Sequence, residues 1–464
     1  MLEGLEIIEK NFKSINQTEL IRLESEFYTS KSFELSNPYT GEEIIDFVQY
    51  GTSKELNETN EGYPILRLNE FDSHFISKPA KYCSKINKST FQSLKLIKDD
   101  VLICRTNGNY RYVGKSALVP KNYEYGYASY LFKIRPKKEL INSSTLVTFL
   151  NSKYGRIEIE KYSMASNQVN FSPAKFRQLR IPSFNSQLNN SIELLYYNSF
   201  DSLNYSKEKY TQAEQLLLQE IGLANFKPSE EGINVKSFKA SFGESGRLDA
   251  EYYQPKYDDY VNQVKKYPKG AFKIQDCCNL NGKNYNPISN KKYKYIELSN
   301  IGKSGDINGF TLEFGKDLPS RARRLVSKND VLISSIEGSL DSCGIITMEY
   351  DQSLCSTGFY VINSDQINSE TLLVLFKSPL MQNILKQNCS GTILTAINKD
   401  EFLNIYIPII DLKIQQQIAD LVEESFALKQ KSEHLLEVAK RAVEIAIEEN
   451  EEVALRYIEE NENN

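Results

Sequence analysis

Apolar residues in this chain fall into short strand-like runs and long helical stripes, and the whole arrangement occurs twice. The runs "DVLI" at 100–103, "YLFKI" and "LRIPSF" are followed later by "DVLI" at 330–333, "FYVI" and "IYIP". Between them, residues 143–162 and 369–388 have helical periodicity, so each half reads as an α+β domain. After each "IP" the pattern changes to spacings of three, four and seven. The first stripe runs through Leu188, Ile192, Leu195, Ala213, Leu216, Leu217 and Ile221, and Gly222 stops it. The second runs through Ile414, Ile418, Leu421, Leu428, Leu435, Leu436, Ala439, Val443 and Ile447. A helix of ~34 residues is about 50 Å long, and two such stripes bury each other best as an antiparallel pair.

The spacing predicts an N-terminal segment and first α/β domain over 1–187, a long helix over 188–222 and a linker over 223–245 around Pro228 and "SEEGIN". A second α/β domain follows over 246–411, then a long helix over 412–458 and an acidic tail over 459–464. The fold class is a tandem duplication. "DVLI" from Asp100 recurs from Asp330, and "YPILRLNEF" from Tyr63 pairs with "YKYIELSNI" from Tyr293 at the same displacement. At slightly shorter displacements, "IRLESEFYTSK" from Ile21 pairs with "GRLDAEYYQPK" from Gly246, and Pro182 with Pro408. The displacement between the two "DVLI" runs carries Gly108 onto Gly338, Gly114 onto Gly344, Arg105 onto Ser335 and Lys115 onto Ile345. Persistent glycines with changed charges suggest one bent scaffold presenting two different surfaces.

Composition narrows the class. The net charge of −5 is unevenly placed: from Asp411 onward six basic residues face fourteen acidic ones, leaving a net +3 for residues 1–410. Local basic surfaces are therefore available. No apolar run approaches a membrane span and the N-terminus has no signal pattern, so a cytoplasmic protein without membrane attachment is expected. Seven cysteines, none in a C-x-x-C pair, and only His74 and His434 give no zinc-ligand set, which fits reduced, buried thiols.

"CRTNGNYRYVGKSAL", Cys104–Leu118, has the look of a phosphate-binding loop, but Gly108 and Gly114 enclose five residues where a P-loop has four. The stretch beyond it, with Pro120 and Gly126, reads as turn and strand, so the segment is expected to be a hairpin-like loop. There is no G-x-G-x-x-G, no nuclease carboxylate cluster, and only "NPYTG" at 37–41 approaches an adenine-methyltransferase signature, without its second proline.

The duplicated "D-V-L-I-x-x-x-x-G" core, "I-P" leading into "Q-x-x-I-x-x-L", and "RLDAEYYQPKY" at Arg247–Tyr257 together resemble the specificity subunits of type I restriction–modification systems. The first copy's "RLESEFY" is a weaker form of that motif. The resemblance covers nearly the whole chain. It implies a non-catalytic subunit with two target recognition domains, each reading half of a split site in double-stranded DNA, and helices that set the spacing. It also implies DNA methyltransferase (modification) subunits and restriction/translocase subunits as partners. S-adenosylmethionine, ATP and magnesium would be bound by those partners and no cofactor by this chain. Three alternatives stay open: service to a restriction class with one fused nuclease–methylase partner, a coiled-coil adaptor without DNA binding, and an ATPase.

Three groups of residues are candidate DNA contacts. Arg105, Asn107, Asn109, Arg111 and Lys115 put base-edge donors and phosphate partners on the first loop, whose counterpart carries Ser335 and Ser339. Asn167, Gln168 and Asn170 in "SNQVNFS" correspond to Thr392, Thr395 and Asn398 in "SGTILTAIN"; helix capping is the competing role. Arg321, Arg323 and Arg324 in "SRARRL" suit phosphate contacts or a surface ion-pair cluster.

Overall fold

The computed structural model describes residues 33–72, 74–163, 170–391 and 395–462. The chain divides into two compact units, residues 1–203 with 430–464 and residues 204–429. The division runs through both long helices, so each unit owns a part of each.

In the first unit the strands of the two larger sheets are β1 (Ile45–Tyr50), β2 (Tyr63–Leu66), β3 (Lys81–Cys83), β4 (Val101–Cys104), β5 (Ser116–Leu118), β6 (Gly126–Tyr127) and β7 (Leu131–Pro136). One sheet has the order β1-β7-β4-β5, antiparallel throughout; another is β3-β2-β6, with β2 and β6 parallel. Val101, Leu102 and Ile103 are fully buried because β4 is central and covered on both faces. The helical stretch after β7 is two helices, α1 (Ser143–Asn151) and α2 (Lys153–Ser163), where the periodicity predicts one run. Ser152 breaks it: its hydroxyl donates to Phe149 O at 2.7 Å and accepts the Gly155 N–H at 3.2 Å. The long helix α3 (Ser186–Glu220) follows. It ends on Gly222 at φ 73°, with Leu223 N–H returning to Leu218 O at 2.7 Å, the left-handed stop that the glycine permits.

In the second unit the strands of the two larger sheets are β8 (Asn279–Leu280), β9 (Lys292–Ile296), β10 (Thr311–Phe314), β11 (Ala322–Leu325), β12 (Val331–Ser334), β13 (Cys343–Ile345), β14 (Leu354–Ser356) and β15 (Phe359–Asn363). The sheet β8-β15-β12-β13 repeats the order of the first unit's four-stranded sheet. The second sheet, β10-β9-β14-β11, has a fourth strand where the first unit has three. Helices α4 (Ser369–Lys377) and α5 (Pro379–Gln387) again divide one periodic run, here at Ser378, whose hydroxyl caps Met381 N–H ahead of Pro379 at N1. The last long helix, α6 (Leu412–Glu448), is shorter than the 412–458 that periodicity predicts. Asn450 is extended at φ −167° and its Oδ1 accepts Val453 N–H at 3.0 Å, which starts a separate α7 (Glu451–Asn461).

The repeat extends to individual polar contacts. Asp99 and Asn329 both stand at left-handed φ, 69° and 70°, ahead of β4 and β12, a conformation these residue types tolerate. The next residues, Asp100 and Asp330, are buried and accept backbone N–H groups from Ile97 at 2.9 Å and Ser327 at 2.8 Å. Ser143 donates to Asp99 O at 2.6 Å, as Ser369 does to Asn329 O at 2.7 Å. Between the helices, Ser199 meets Ser432 at 2.9 Å in the first unit and Ser206 meets Ser425 at 3.2 Å in the second. Partners rise in number along α3 as they fall along α6, so the helices pair antiparallel. The displacement that relates Pro182 to Pro408 also turns Ser199 into Ser425 and Ser206 into Ser432. Among the described residues, no helix is long and apolar enough to cross a membrane.

Candidate nucleic-acid interface

The loop between β4 and β5 is a hairpin, as its spacing predicts. Gly114 N–H donates to Cys104 O and Cys104 N–H to Lys115 O, both at 2.8 Å. Gly114 stands at φ 77°, where a Cβ would come within 2.5 Å of the Ile159 side chain, so any other residue here is strained. Strand register corrects the sequence pairing here. Ile103 faces Ser116 in the first unit and Ile333 faces Cys343 in the second, so Gly344 takes the place of Ala117, not of Gly114, and Ile345 that of Leu118, not of Lys115. Residues 105–115 form the first loop and only 335–342 the second, three residues fewer.

In the first unit the loop is braced from α2, where half-buried Arg156 donates to Val113 O at 2.8 Å and to Arg111 O at 3.4 Å. Asn107 and Asn109 shape it: their Oδ1 atoms accept Asn109 N–H at 2.8 Å and Arg111 N–H at 3.1 Å. Bidentate recognition of adenine needs both ends of an amide, so their role in this conformation is to set the loop. Arg105 crosses the Tyr50 ring at 5.1 Å, Lys115 the Tyr112 ring at 5.8 Å and Arg111 the Tyr110 ring at 6.0 Å. All three tyrosines are exposed. Sequence reasoning singled out the cations and passed over the rings, although "NYRYVGK" alternates them.

The two candidate segments of this unit meet. Thr106 forms a β-bridge with Asn170, and Phe171 N–H donates to Arg105 O at 2.7 Å. Among the described residues, Arg105 Nε and Asn170 Oδ1, a donor and an acceptor, have no hydrogen-bond partner there. Asn167 and Gln168 lie outside the described residues.

The second unit repeats the meeting with other side chains. Ile336 bridges Ala396, Ile397 N–H donates to Ser335 O at 2.9 Å and Glu337 N–H to Thr395 O at 3.0 Å. Ser335 Oγ is spent on Gly358 O at 2.9 Å, and Ser339 Oγ faces Ser334 Oγ at 3.1 Å. Asn398 Oδ1 caps Glu401 N–H at 2.9 Å at the start of a short helix, Lys399–Leu403. Thr392 lies outside the described residues. Arg323 and Arg324 lie on β11, the strand without a counterpart, and Arg321 immediately precedes it. Arg323 Nη1 donates to Asn286 Oδ1 at 2.8 Å, Arg324 Nη1 to Asn284 Oδ1, and Thr357 N–H to Arg321 O at 2.9 Å. Arg323 and Arg324 are thus steadied by neutral amides, which themselves carry no opposing charge.

The motif Arg247–Tyr257 docks beside these loops. Arg247 forks onto Asp249, donates to Cys389 O at 2.7 Å and covers the Tyr252 ring at 4.3 Å. Its first-copy counterpart, "RLESEFY", lies outside the described residues. Burial pushes the Cys104 thiol up to about 12, which leaves it a poor nucleophile. Among the described residues, no group of His, Cys, Asp and Glu is placed to hold a metal ion.

Residues 269–438 match a protein-family model. The family is the type I restriction modification DNA specificity domain. The matched stretch runs from shortly before β8 into α6. In sequence the chain is 28% identical over 145 residues to the type I restriction enzyme StySPI specificity subunit of Salmonella potsdam, and equally to the EcoKI specificity subunit of Escherichia coli K12. Each match covers 30% of this chain and 30% of the relative's length. The chain thus resembles type I restriction enzyme specificity subunits. Among solved structures, the type I S subunit from M. genitalium aligns over 92% of this chain and 98% of its own at 13% identity and a TM-score of 0.40. The HsdS subunit from Thermoanaerobacter tengcongensis aligns over 91% and 100% at 13% identity and a TM-score of 0.28.

Proposed function

We propose that this chain is the DNA-reading specificity subunit of a type I restriction–modification complex. One observation carries the proposal: the first unit repeats several backbone devices of the unit that matches a DNA specificity domain. The left-handed Asp99 and Asn329, the buried aspartates and the bridged loops recur in the same order. A matched recognition domain is thereby extended to a pair. Each would read one half of a two-part site in duplex DNA, and their different loop side chains imply two different half-sites. Methylation and cleavage would fall to methyltransferase and restriction/translocase subunits, which would also hold S-adenosylmethionine, ATP and magnesium. Type I kinship, in place of a fused nuclease–methylase class, is favoured by the relatives' own names.

The paired helices would set the distance between half-sites. Inserting one heptad into both, near Lys207 and Glu433, preserves the apolar face and adds about 10 Å, roughly three base pairs of duplex at ~3.4 Å each. Methylome sequencing of the host carrying that variant should return both half-sites unchanged with a longer unread spacer. An unchanged spacer in an active complex refutes the ruler. Loss of all site-specific methylation on deleting the gene is the prior expectation, and methylation surviving the deletion refutes the function itself.

A further inference from the structure

In each unit a connecting segment leads from the four-stranded antiparallel sheet into the second sheet: residues 51–62 between β1 and β2, and 281–291 between β8 and β9. The two segments line opposite edges of their sheets. In the first unit the segment runs along the outer strand β3. Asn57 N–H donates to Tyr82 O at 2.7 Å and Tyr82 N–H to Asn57 O at 3.0 Å, so the segment serves as a further strand. Leu56 packs against Ile65, Cys83 and Ala128, while Glu58 pairs with Lys81 and Glu55 with Lys85. In the second unit the segment turns the other way. Tyr285 N–H donates to Arg323 O at 2.8 Å, and Asn284 and Asn286 accept from Arg324 and Arg323, all along β11. One segment can line one edge, and β10 remains the outer strand on the far side of the sheet.

The register shows what is left bare. Tyr63 faces Cys83 as Tyr293 faces Glu313, and Pro64 faces Tyr82 as Lys294 faces Leu312. Leu312 therefore stands in the place of Tyr82, whose backbone is paired outward in the first unit. Among the described residues, no segment bridges β10 on its free side. Leu312 is 53% exposed, and Phe310 and Phe314 are exposed beside it. Lys292 lies over the Phe314 ring at 5.0 Å and Lys294 over the Phe310 ring at 4.7 Å. Lys294 also pairs with Glu349 at 3.7 Å. At the Phe314 end, where Gly315 N–H donates to Lys291 O at 2.9 Å, the lysines are Lys291, Lys292 and Lys316. Among the described residues, these three make no ion pair. Glu313 lies on the opposite face with Tyr293, and Asp317 is the nearest acid in sequence to Lys316.

An exposed apolar strand edge is a template for another strand. The first unit displays the chemistry that this scaffold accepts there: an extended chain with a leucine against the sheet and carboxylates on either side of it. Glu55 reaches Lys85, whose place in the second unit is taken by Gly315, among the three unpaired lysines. A single-stranded nucleic acid could use the lysines and rings, but it would leave the N–H and C=O groups of the edge unpaired. A second copy of this chain, pairing β10 with β10, would bring two sets of lysines together.

We propose that the free edge of β10 takes an extended acidic segment of a partner protein as an added strand. An apolar side chain of that segment would meet Leu312, and its carboxylates Lys291, Lys292 and Lys316. The inference stands independently of the DNA-reading function. The probe is a fluorescein-labelled peptide with the sequence of residues 53–61, the first unit's own edge strand, titrated with the full chain and read by anisotropy. One peptide should bind per chain. Lys291→Glu with Lys292→Glu should weaken binding about tenfold or more, because attraction becomes repulsion. Glu55→Gln with Glu58→Gln in the peptide should weaken it in the same direction. Leu312→Pro removes an N–H on the free side of an edge strand, where proline is tolerated, and should weaken binding by a similar factor. The charge reversal decides the matter if the proline variant does not fold. Absence of saturable binding up to about 1 mM overturns the proposal, as does binding that survives the charge reversal. If a single-stranded oligonucleotide binds with the same lysine dependence and the peptide does not, the edge is a nucleic-acid surface and the proposal falls. It falls equally if the variants change only self-association of the chain.

Discussion

The two hairpin loops, residues 105–115 and 335–342, occupy the same position in the same kind of sheet and have opposite character. Residues 105–115 carry Arg105, Arg111 and Lys115 and no acid; residues 335–342 carry Glu337 and Asp341 and no cation. The first unit places its cations on the loop, each over an exposed tyrosine. The second places them on β11, a strand the first unit lacks, and steadies two of them with Asn284 and Asn286. The buried aspartates differ in the same sense. Asp100 is paired with Arg135 at 2.7 Å and Lys133 at 3.4 Å, whereas Asp330 accepts only an amide, Asn363 Nδ2, at 2.8 Å among side chains. A duplicated scaffold keeps its backbone devices and redistributes its charge. Where charge can be moved, the two halves are free to present different surfaces.

The largest test of that comparison is in the core. Asp100→Ala strands a buried lysine and a part-buried arginine and should cost about 3–5 kcal/mol. Asp330→Ala removes one hydrogen bond from the Asn363 amide and one from the Ser327 backbone N–H. It should cost about 1–3 kcal/mol. Hydrogen exchange resolved by unit, in urea, compares the two; equal costs would mean that the ion pairs add nothing.

Acid should separate the units next. His74 is half-buried in the first unit, its Nδ1 2.7 Å from the Tyr196 hydroxyl, and the second unit contains no histidine. Burial, then the nearby Lys440 and Lys115, lowers its pKa from 6.5 to about 4. The unfolded chain therefore binds a proton that the folded unit refuses between those values. Stability from this group is full above pH 6.5 and falls as pH drops toward 4, by roughly 3 kcal/mol in all. His74→Gln should flatten that part of the pH profile of the first unit and leave the second unchanged. A wild-type slope in the variant would assign the acid sensitivity to other groups.

Readout comes third. Arg105→Ala with Arg111→Ala should relax one half-site by about 1–3 kcal/mol for each base edge no longer read, with the other half-site intact in the methylome. The smallest effect is electrostatic. Replacing Arg321, Arg323 and Arg324 by Ala should reduce the slope of log K against log salt by up to about 0.9 for each phosphate no longer neutralised, without changing sequence preference. An unchanged slope removes these arginines from the DNA surface.

Much of this is legible from pattern alone. "DVLI", "YLFKI" and "FYVI" are strands, and the glycine spacing that excludes a P-loop sits in a hairpin. Local sequence carries these because strand alternation, helix periodicity and turn residues act within a few positions. Sequence pairing fails at Gly114 and Gly344, where two identical residues in similar strings fall in a turn and in a strand. Only the hydrogen-bond register between distant segments reveals the three-residue difference in loop length. Asn107, Asn109, Asn398, Ser335 and Ser339 look free to meet DNA by residue type, and their side-chain oxygens bind the chain itself.

The sequence by itself determined the duplication, the element types, the helical stripes and the uneven charge, since each is a property of residues near one another or of a fixed displacement along the chain. Tertiary structure decided which segments meet, such as Thr106 with Asn170 and Ile336 with Ala396, and which polar atoms remain available after those meetings. It also decided that α6 stops at Glu448, because the Asn450 side chain caps a new helix where apolar periodicity runs on without a break. A side chain's availability depends on what folds against it, and residue type alone does not contain that information.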